Sequence, residues 1–275
     1  MQSVDLDSSL LNEYLQILNV SIRKPDVDAL RELISSHLEH IPFENISKIY
    51  YKKKFKLCYI PSFELYIDGI RKYNFGGTCY SNNFYFNQLL EYLGYDVVLC
   101  GADMKEPDVH LVSIVSIENQ EFIVDVGYAA PFLGPLPRGL STEYYINFGN
   151  DKYILLPKDN NGFSQLKFYR NSVLKHSYTV KPYPRIISEF NPIIKASFNK
   201  TATFMNSILL VLFRRNYYKV IHNFSFIEFK NNDYNKRMIS DKKELAQVIE
   251  NEFGIPAEIV AETISQVTNY NDAWN

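Results

Sequence analysis

Cys79 stands two residues after a glycine pair in the run NFGGTCYSNNFYF (residues 74–86), at what reads as the start of a helix. The positive end of a helix dipole stabilises a thiolate. Gly76 and Gly77 let the backbone turn sharply and approach a ligand closely. The same conditions suit a small apolar side chain packed at a crowded helix entry. A nucleophile needs a base, and the candidate is His110 in DVHLVSIVSIENQEFIVDVGY, which reads as a hairpin. If Glu118-Asn119 forms its two-residue turn, Ile117 faces Gln120 and Asp125 faces Val112. His110 and Asp125 then become diagonal neighbours on one sheet face, about 7–8 Å apart at the backbone and within side-chain reach. An aspartate in so apolar a run is costly unless it is ionised against a partner or hydrogen-bonded. Nucleophile, base and orienting carboxylate are the parts of activated covalent catalysis. The alternative is that His110 and Asp125 only satisfy each other across a half-buried sheet. Periodicity alone does not bring the helix start to the hairpin.

Other polar residues carry weaker signals. His37 and His40 fall near a predicted helix end, where a cation complements the dipole, and His176 and His222 have no acidic partner in their immediate pattern. Cys58 and Cys100 sit in strand-like apolar surroundings and read as core residues. There is no CxxC, and the histidines do not pair with cysteines at ligand spacing, so no metal site is expected. The basic run KKKFK (residues 52–56) reads as a solvated loop or strand edge, or as an anion contact. A net charge of −2 carries no footprint of nucleic-acid binding. No stretch approaches the length of a membrane span, and MQSVDLDSSL lacks the plan of a signal peptide. Three cysteines, odd in number, are no disulfide framework and fit a reducing compartment. The expectation is a cytoplasmic protein without membrane or nucleic-acid partners.

The elements that must position these residues follow from pattern. With 275 residues, 46% of them hydrophobic, the chain is long enough for a substantial core. The first 95 residues read as helices. Leu11, Tyr14, Leu15 and Leu18 lie at helical spacing behind an Asp/Ser cap, and Val27, Leu30, Ile34 and Leu38 repeat the pattern after Pro25. A third helix is predicted in PSFELYIDGIRKY. A fourth runs from near Cys79 to Leu93, with Gly94 as its stop. The period then changes to two in YDVVLCGADM, VHLVSIVSIE, EFIVDVGY, STEYYINFG, KYILLP, SQLKFYR and VLKHSYTV, with Asn161-Gly162 as a tight turn. Many short strands at close spacing suggest a small barrel or sandwich. The proline-broken PYPRIISEFNPIIK leads to a mixed tail: strands ILLVLFRR, YYKVIHN and SFIEFK, then two helices. The first is capped at Asp241 with Glu244 and ends near Gly254, and Pro256 opens the second.

Three separated motifs resemble the arylamine N-acetyltransferases, in that family's order: IPFENIS (residues 41–47), GGTCYSNN (76–83) and HLVSIVSIENQEFIVDVGY (110–128). The closing KKELAQVIENEFGIP is also similar. The resemblance implies an α+β protein of three parts: a helical bundle over 1–95, a β-barrel over 96–197 and an α/β lid over 198–275. It implies a Cys79-His110-Asp125 triad. The cysteine would take an acetyl group from acetyl-CoA and pass it to an arylamine, arylhydrazine or arylhydroxylamine. By the same resemblance Phe43 and Tyr128 line the acceptor pocket, and Asn83 braces the triad. Two departures stand out. Phe75 replaces the arginine that usually precedes the glycine pair and pairs with the PFEN glutamate, leaving Glu44 to find another cation, with Arg71 or Lys72 the nearest in sequence. Ser81 replaces the usual Glu or Gln. Amide synthases that close polyketide chains by an acyl-cysteine route share the fold and are a second reading. A poorly active coenzyme A-binding paralogue is a third.

Overall fold

Side-chain caps begin the first helices of the protein, a computed structural model that describes residues 7–214, 217–230 and 233–273. Asp7 accepts from the Ser9 amide ahead of α1 (Ser8–Leu18), and Asp26 from the Ala29 amide ahead of α2 (Val27–His40). Leu11, Tyr14, Leu15 and Leu18 are the buried face of α1, as their spacing predicts. Two residues, Phe43–Glu44, form β1; then come α3 (Ile46–Phe55), α4 (Phe63–Tyr73) and α5 (Cys79–Tyr92). The lysine run is therefore neither loop nor strand edge. Lys52, Lys53 and Lys54 form the last turn of α3, where lysine is a good helix former and its charge opposes the carbonyl end of the dipole.

An eight-stranded antiparallel sheet follows: β2 (Asp96–Asp103), β3 (His110–Ile117), β4 (Gln120–Val124), β5 (Leu136–Pro137), β6 (Tyr144–Phe148), β7 (Asp151–Leu155), β8 (Ser164–Arg170) and β9 (Val173–Pro184). Its order is β5-β4-β3-β2-β9-β8-β7-β6, and it curls into a nearly closed barrel. The barrel interior is a core of its own, built on Cys100, Val112, Ile123, Phe132, Leu166 and Tyr178. Asn161-Gly162 falls in a tight turn between β7 and β8, as expected, though not a two-residue one. It lies at the tip of a longer connection in which the Gly162 amide donates to the Asp159 carbonyl, with Gly162 at φ +84°.

After α6 (Asn191–Ala196) the chain forms β10 (Leu209–Arg214), β11 (Tyr217–His222), β12 (Ser225–Lys230) and β13 (Asp233–Met238). Arg215, the end of the expected strand ILLVLFRR, lies outside the described residues, as do residues 1–6 of the expected leaderless N-terminus. The chain closes with α7 (Lys242–Phe253), capped by Asp241, and α8 (Ala257–Ile264), which follows Pro256. β13 has every residue exposed, so it carries no alternation by which a sequence reading could find it. These strands form a second sheet in the order β1-β10-β11-β12-β13. The pair Phe43–Glu44 thus reaches across to the far end of the chain, with Phe43 opposite Val211 and Glu44 opposite Leu210.

Candidate active site

The β3–β4 turn is Glu118-Asn119, both at positive φ (49° and 64°), which matches the twist of the flanking strands and fixes their register. Ile117 pairs with Gln120 and Ser113 with Val124, so Asp125 follows directly opposite Val112. From this diagonal the His110 Nε2 stands 2.7 Å from Asp125 Oδ2, with both residues buried. The imidazole nitrogen that remains, Nδ1, is the one left for Cys79, whose thiol donates to the carbonyl of Val109, the residue before His110, at 3.9 Å and acts electrostatically on the ring. Burial alone would lower the His110 pKa. Asp125, by charge and hydrogen bond, and then Cys79 outweigh that and hold the ring protonated well above its usual range.

Cys79 is the first residue of α5, and one barrel loop packs directly on it. A Cβ at Gly127 would lie 2.7 Å from Cys79 Cα and 2.7 Å from Asn83 Nδ2, so only glycine lets the turn after Asp125 seat on the helix start. Asn83, one turn further along α5, donates to Asp125 Oδ1 (2.9 Å) and to the Leu111 carbonyl (2.6 Å), and accepts from the Val126 amide (2.8 Å). It ties helix, base strand and orienting carboxylate together. Gly127 N–H completes Oδ1 at 3.0 Å. The Tyr178 hydroxyl, on β9, donates to Oδ2 at 2.9 Å. Tyr178 escaped the sequence reading; its only signal is an inward position in VLKHSYTV, which a packed core tyrosine shares.

Glu44 is also buried, and neither cation considered for it reaches it. Arg71 pairs with Glu13 at 2.5 Å and Lys72 with Asp68 at 2.6 Å, both on the bundle surface. Glu44 Oε1 accepts the Gly76 amide (3.1 Å) and Oε2 the Ser47 amide (2.8 Å), while its own N–H donates to the Gly77 carbonyl (3.0 Å). Burial pushes its carboxyl pKa up, and the hydrogen bonds from Ser47, Gly76 and Ile46 only partly offset this. A Cβ at Gly76 would run into the Pro42 carbonyl oxygen, so the glycine is what lets the PFEN strand dock on the loop that leads to Cys79. Phe75 turns away into a cage of Tyr50, Tyr51 and Tyr73, with ring centroids at 5.7, 5.7 and 5.2 Å.

Three further expectations are corrected. His37 carries no dipole-balancing charge: burial pushes its pKa down to about 3, and its Nδ1 pairs with the Tyr14 hydroxyl at 2.7 Å. His222 does have an acidic partner, Asp272 at 3.4 Å, placed there by the returning C-terminal segment. Cys58 is half-buried in the α3–α4 loop, whereas Cys100 is a core residue as expected.

A cavity of about 510 Å³ opens onto Cys79 and His110. Phe43 and Tyr128 both line it, Phe43 edge-on to Phe204 and Tyr128 stacked on Phe132 and edge-on to His110. The second sheet supplies an apolar wall from Leu209, Val211, Phe213 and Val220. Such a chamber suits a flat apolar ligand held against one reactive side chain. Among the described residues no cluster of His, Cys, Asp or Glu could hold a metal ion, and no helix is long and apolar enough to cross a membrane.

A family model described as N-acetyltransferase matches residues 26–261. The chain belongs to the arylamine N-acetyltransferase family. It is 31% identical over 120 residues to the arylamine N-acetyltransferase pineal gland isozyme NAT-3 of Gallus gallus, covering 41% of this chain and 40% of that one. It is 29% identical over 133 residues to the proansamycin X synthase of Amycolatopsis mediterranei, covering 45% and 50%. The matches thus span about two-fifths to one half of these relatives' lengths. In fold it is similar to the Salmonella typhimurium arylamine N-acetyltransferase, with a TM-score of 0.77 at 19% identity, covering 94% of this chain and 99% of that one. The Mycobacterium marinum enzyme in complex with CoA matches with a TM-score of 0.76 at 20% identity, covering 94% and 99%.

Proposed function

We propose that the protein moves an acetyl group from acetyl-CoA to an arylamine, arylhydrazine or arylhydroxylamine through an acetyl-Cys79 intermediate. The observation that carries this reading is the line Cys79-His110-Asp125 at the wall of an apolar cavity. In the first half-reaction the Cys79 sulfur, as thiolate beside the protonated His110, attacks the thioester carbonyl. The C–S bond to coenzyme A breaks, and the departing thiolate takes the ring proton. One thioester replaces another, so the acetyl group stays activated. In the second half the acceptor nitrogen, or the hydroxylamine oxygen, attacks that carbonyl and returns a proton to His110, and Cys79 leaves as thiolate. Asp125 keeps the imidazole oriented, Asn83 braces Asp125, and Phe43 and Tyr128 hold the acceptor's ring.

In this reading residues 1–95 bring the nucleophile, 96–197 the base and its carboxylate, and 198–275 cover the pocket. Its setting is the cytoplasm. A panel of anilines and hydrazines assayed with acetyl-CoA tests it: parallel double-reciprocal plots and acetylated products are expected, and no product from any member would reject it. The likeness to proansamycin X synthase favours a second reading, an amide synthase. That reading predicts turnover of a long acyl thioester carrying its own amine and none with acetyl-CoA.

A further inference from the structure

Lys48, four residues beyond Glu44 on α3, is a buried lysine in the wall of the cavity that holds Cys79. Its Nζ donates to the Ser197 hydroxyl at 2.6 Å and lies 4.2 Å from the centroid of the Phe198 ring. Neither partner carries a countercharge. Burial pushes the ammonium down to about 8, and the proximity of Cys79 opposes this while Lys52 adds to it. Burying a cation against a hydroxyl and a ring is expensive. The other charges in the cavity wall are spoken for or remote from this role. Arg170 holds Asp151 through two hydrogen bonds of 2.7 Å, His110 holds Asp125, and Glu106 is exposed at the rim. An apolar chamber thus carries one ammonium beside its reactive sulfur, with a neutral hydroxyl as its hydrogen-bond partner.

We propose that Lys48 is a specificity-determining residue that selects, for the place beside Cys79, a ligand carrying a carboxylate. The inference rests on the reading of the cavity as an acyl-transfer site. A carboxylate reaches Lys48 either on the aromatic ring of the acceptor or at the far end of the donor's acyl group. The recognition chemistry is the same in both, a charge-assisted hydrogen bond in a water-poor pocket. The competing role for Lys48 is structural: with Lys52, which donates to the Phe198 carbonyl, it tethers the segment after α6.

Two arms separate the sources. In the acceptor arm, binding of 4-aminobenzoate and of its neutral isostere 4-aminobenzamide to the resting protein is measured by calorimetry, which needs no turnover. In the donor arm, the rate of acylation at Cys79 is followed by mass spectrometry with malonyl-CoA against propionyl-CoA. In at least one arm the carboxylate is expected to be preferred by roughly ten- to a hundredfold, the range of a hydrogen bond to a charged group. Lys48→Met is expected to erase the preference and Lys48→Arg to keep it. Equal behaviour of charged and neutral partners in both arms of the wild type overturns the proposal, whether or not the variant folds. So does a Lys48→Met protein that weakens both members of each pair alike, which is the signature of the structural role. If Cys79 is acylated by no thioester, the acyl-transfer reading fails, and the calorimetric arm still decides whether Lys48 selects a carboxylate.

Discussion

Two buried carboxylates flank the start of α5, and they are satisfied in opposite ways. Asp125, 2% exposed, has four partners: Asn83 and the Gly127 amide on one oxygen, Tyr178 and the His110 ring on the other. Glu44, fully buried, has only backbone amides and Ser47 around it, and the place of its expected arginine is filled by Phe75 among tyrosines. The first carboxylate faces a cation that its charge helps to maintain; the second faces dipoles. The difference teaches that the site is protected unevenly. The Asp125 network is set by charge and, in the proposed reading, carries the chemistry, whereas the Glu44 network is set by packing and holds the loop that leads to Cys79.

Four experiments break or sharpen that contrast. The largest effect belongs to Asp125→Asn, expected to lower acetyl transfer by about 10³- to 10⁴-fold by leaving the imidazole mispolarised; steady-state kinetics check it. Phe75→Ala comes next, as a stability effect. Emptying a ring from the tyrosine cage is expected to cost about 3–5 kcal/mol in urea unfolding, with the chemistry of the folded fraction little changed. A small cost there would mean that packing does not replace the missing arginine. Gly127→Ala pushes the β4 exit off Cys79 and Asn83. An overpacking cost of about 1–3 kcal/mol is expected, together with slower acylation.

The smallest effect is Glu44→Gln, and pH separates it from Asp125. Glu44 has a raised folded pKa, so wild-type stability falls relative to the variant as pH rises from about 4.5 through that raised value, and is level above it. His110 is also raised, from 6.5 to about 10, so the stability of its pair is fully present below 6.5 and is lost as pH rises towards 10. Urea unfolding of wild type, Glu44→Gln and Asp125→Asn across pH 4–10 should therefore show two windows, one opening near pH 4.5 for Glu44 and one opening near pH 6.5 for the pair. A single shared window would remove the distinction.

Much of this geometry was legible in the sequence because it is local. Glu118-Asn119 is a two-residue turn, and a turn of that length sets register, so the diagonal of His110 and Asp125 followed from counting. The apolar spacing of α1 likewise named its buried face. What stayed hidden is what depends on distant segments meeting. Tyr178 reaches Asp125 across 53 positions, and Lys48 meets Ser197 across 149. β13 hid because an edge strand exposed throughout has no buried side to alternate with. α3 hid because its lysines read as a charge run, although the helix is pinned by its buried residues from Ile46 to Tyr51. The surroundings of Glu44 are hidden for a similar reason. Arg71 and Lys72 are near in sequence, but the direction of α4 sends both to its solvent side, where other carboxylates hold them.

The central claim is that Cys79 carries the acyl group, and the mass of the protein after exposure to acetyl-CoA without any acceptor tests it most directly. The account predicts the gain of one acetyl group, localised by peptide mapping to Cys79 and absent from Cys79→Ser. No gain in the wild type, or an undiminished gain in Cys79→Ser, would contradict it.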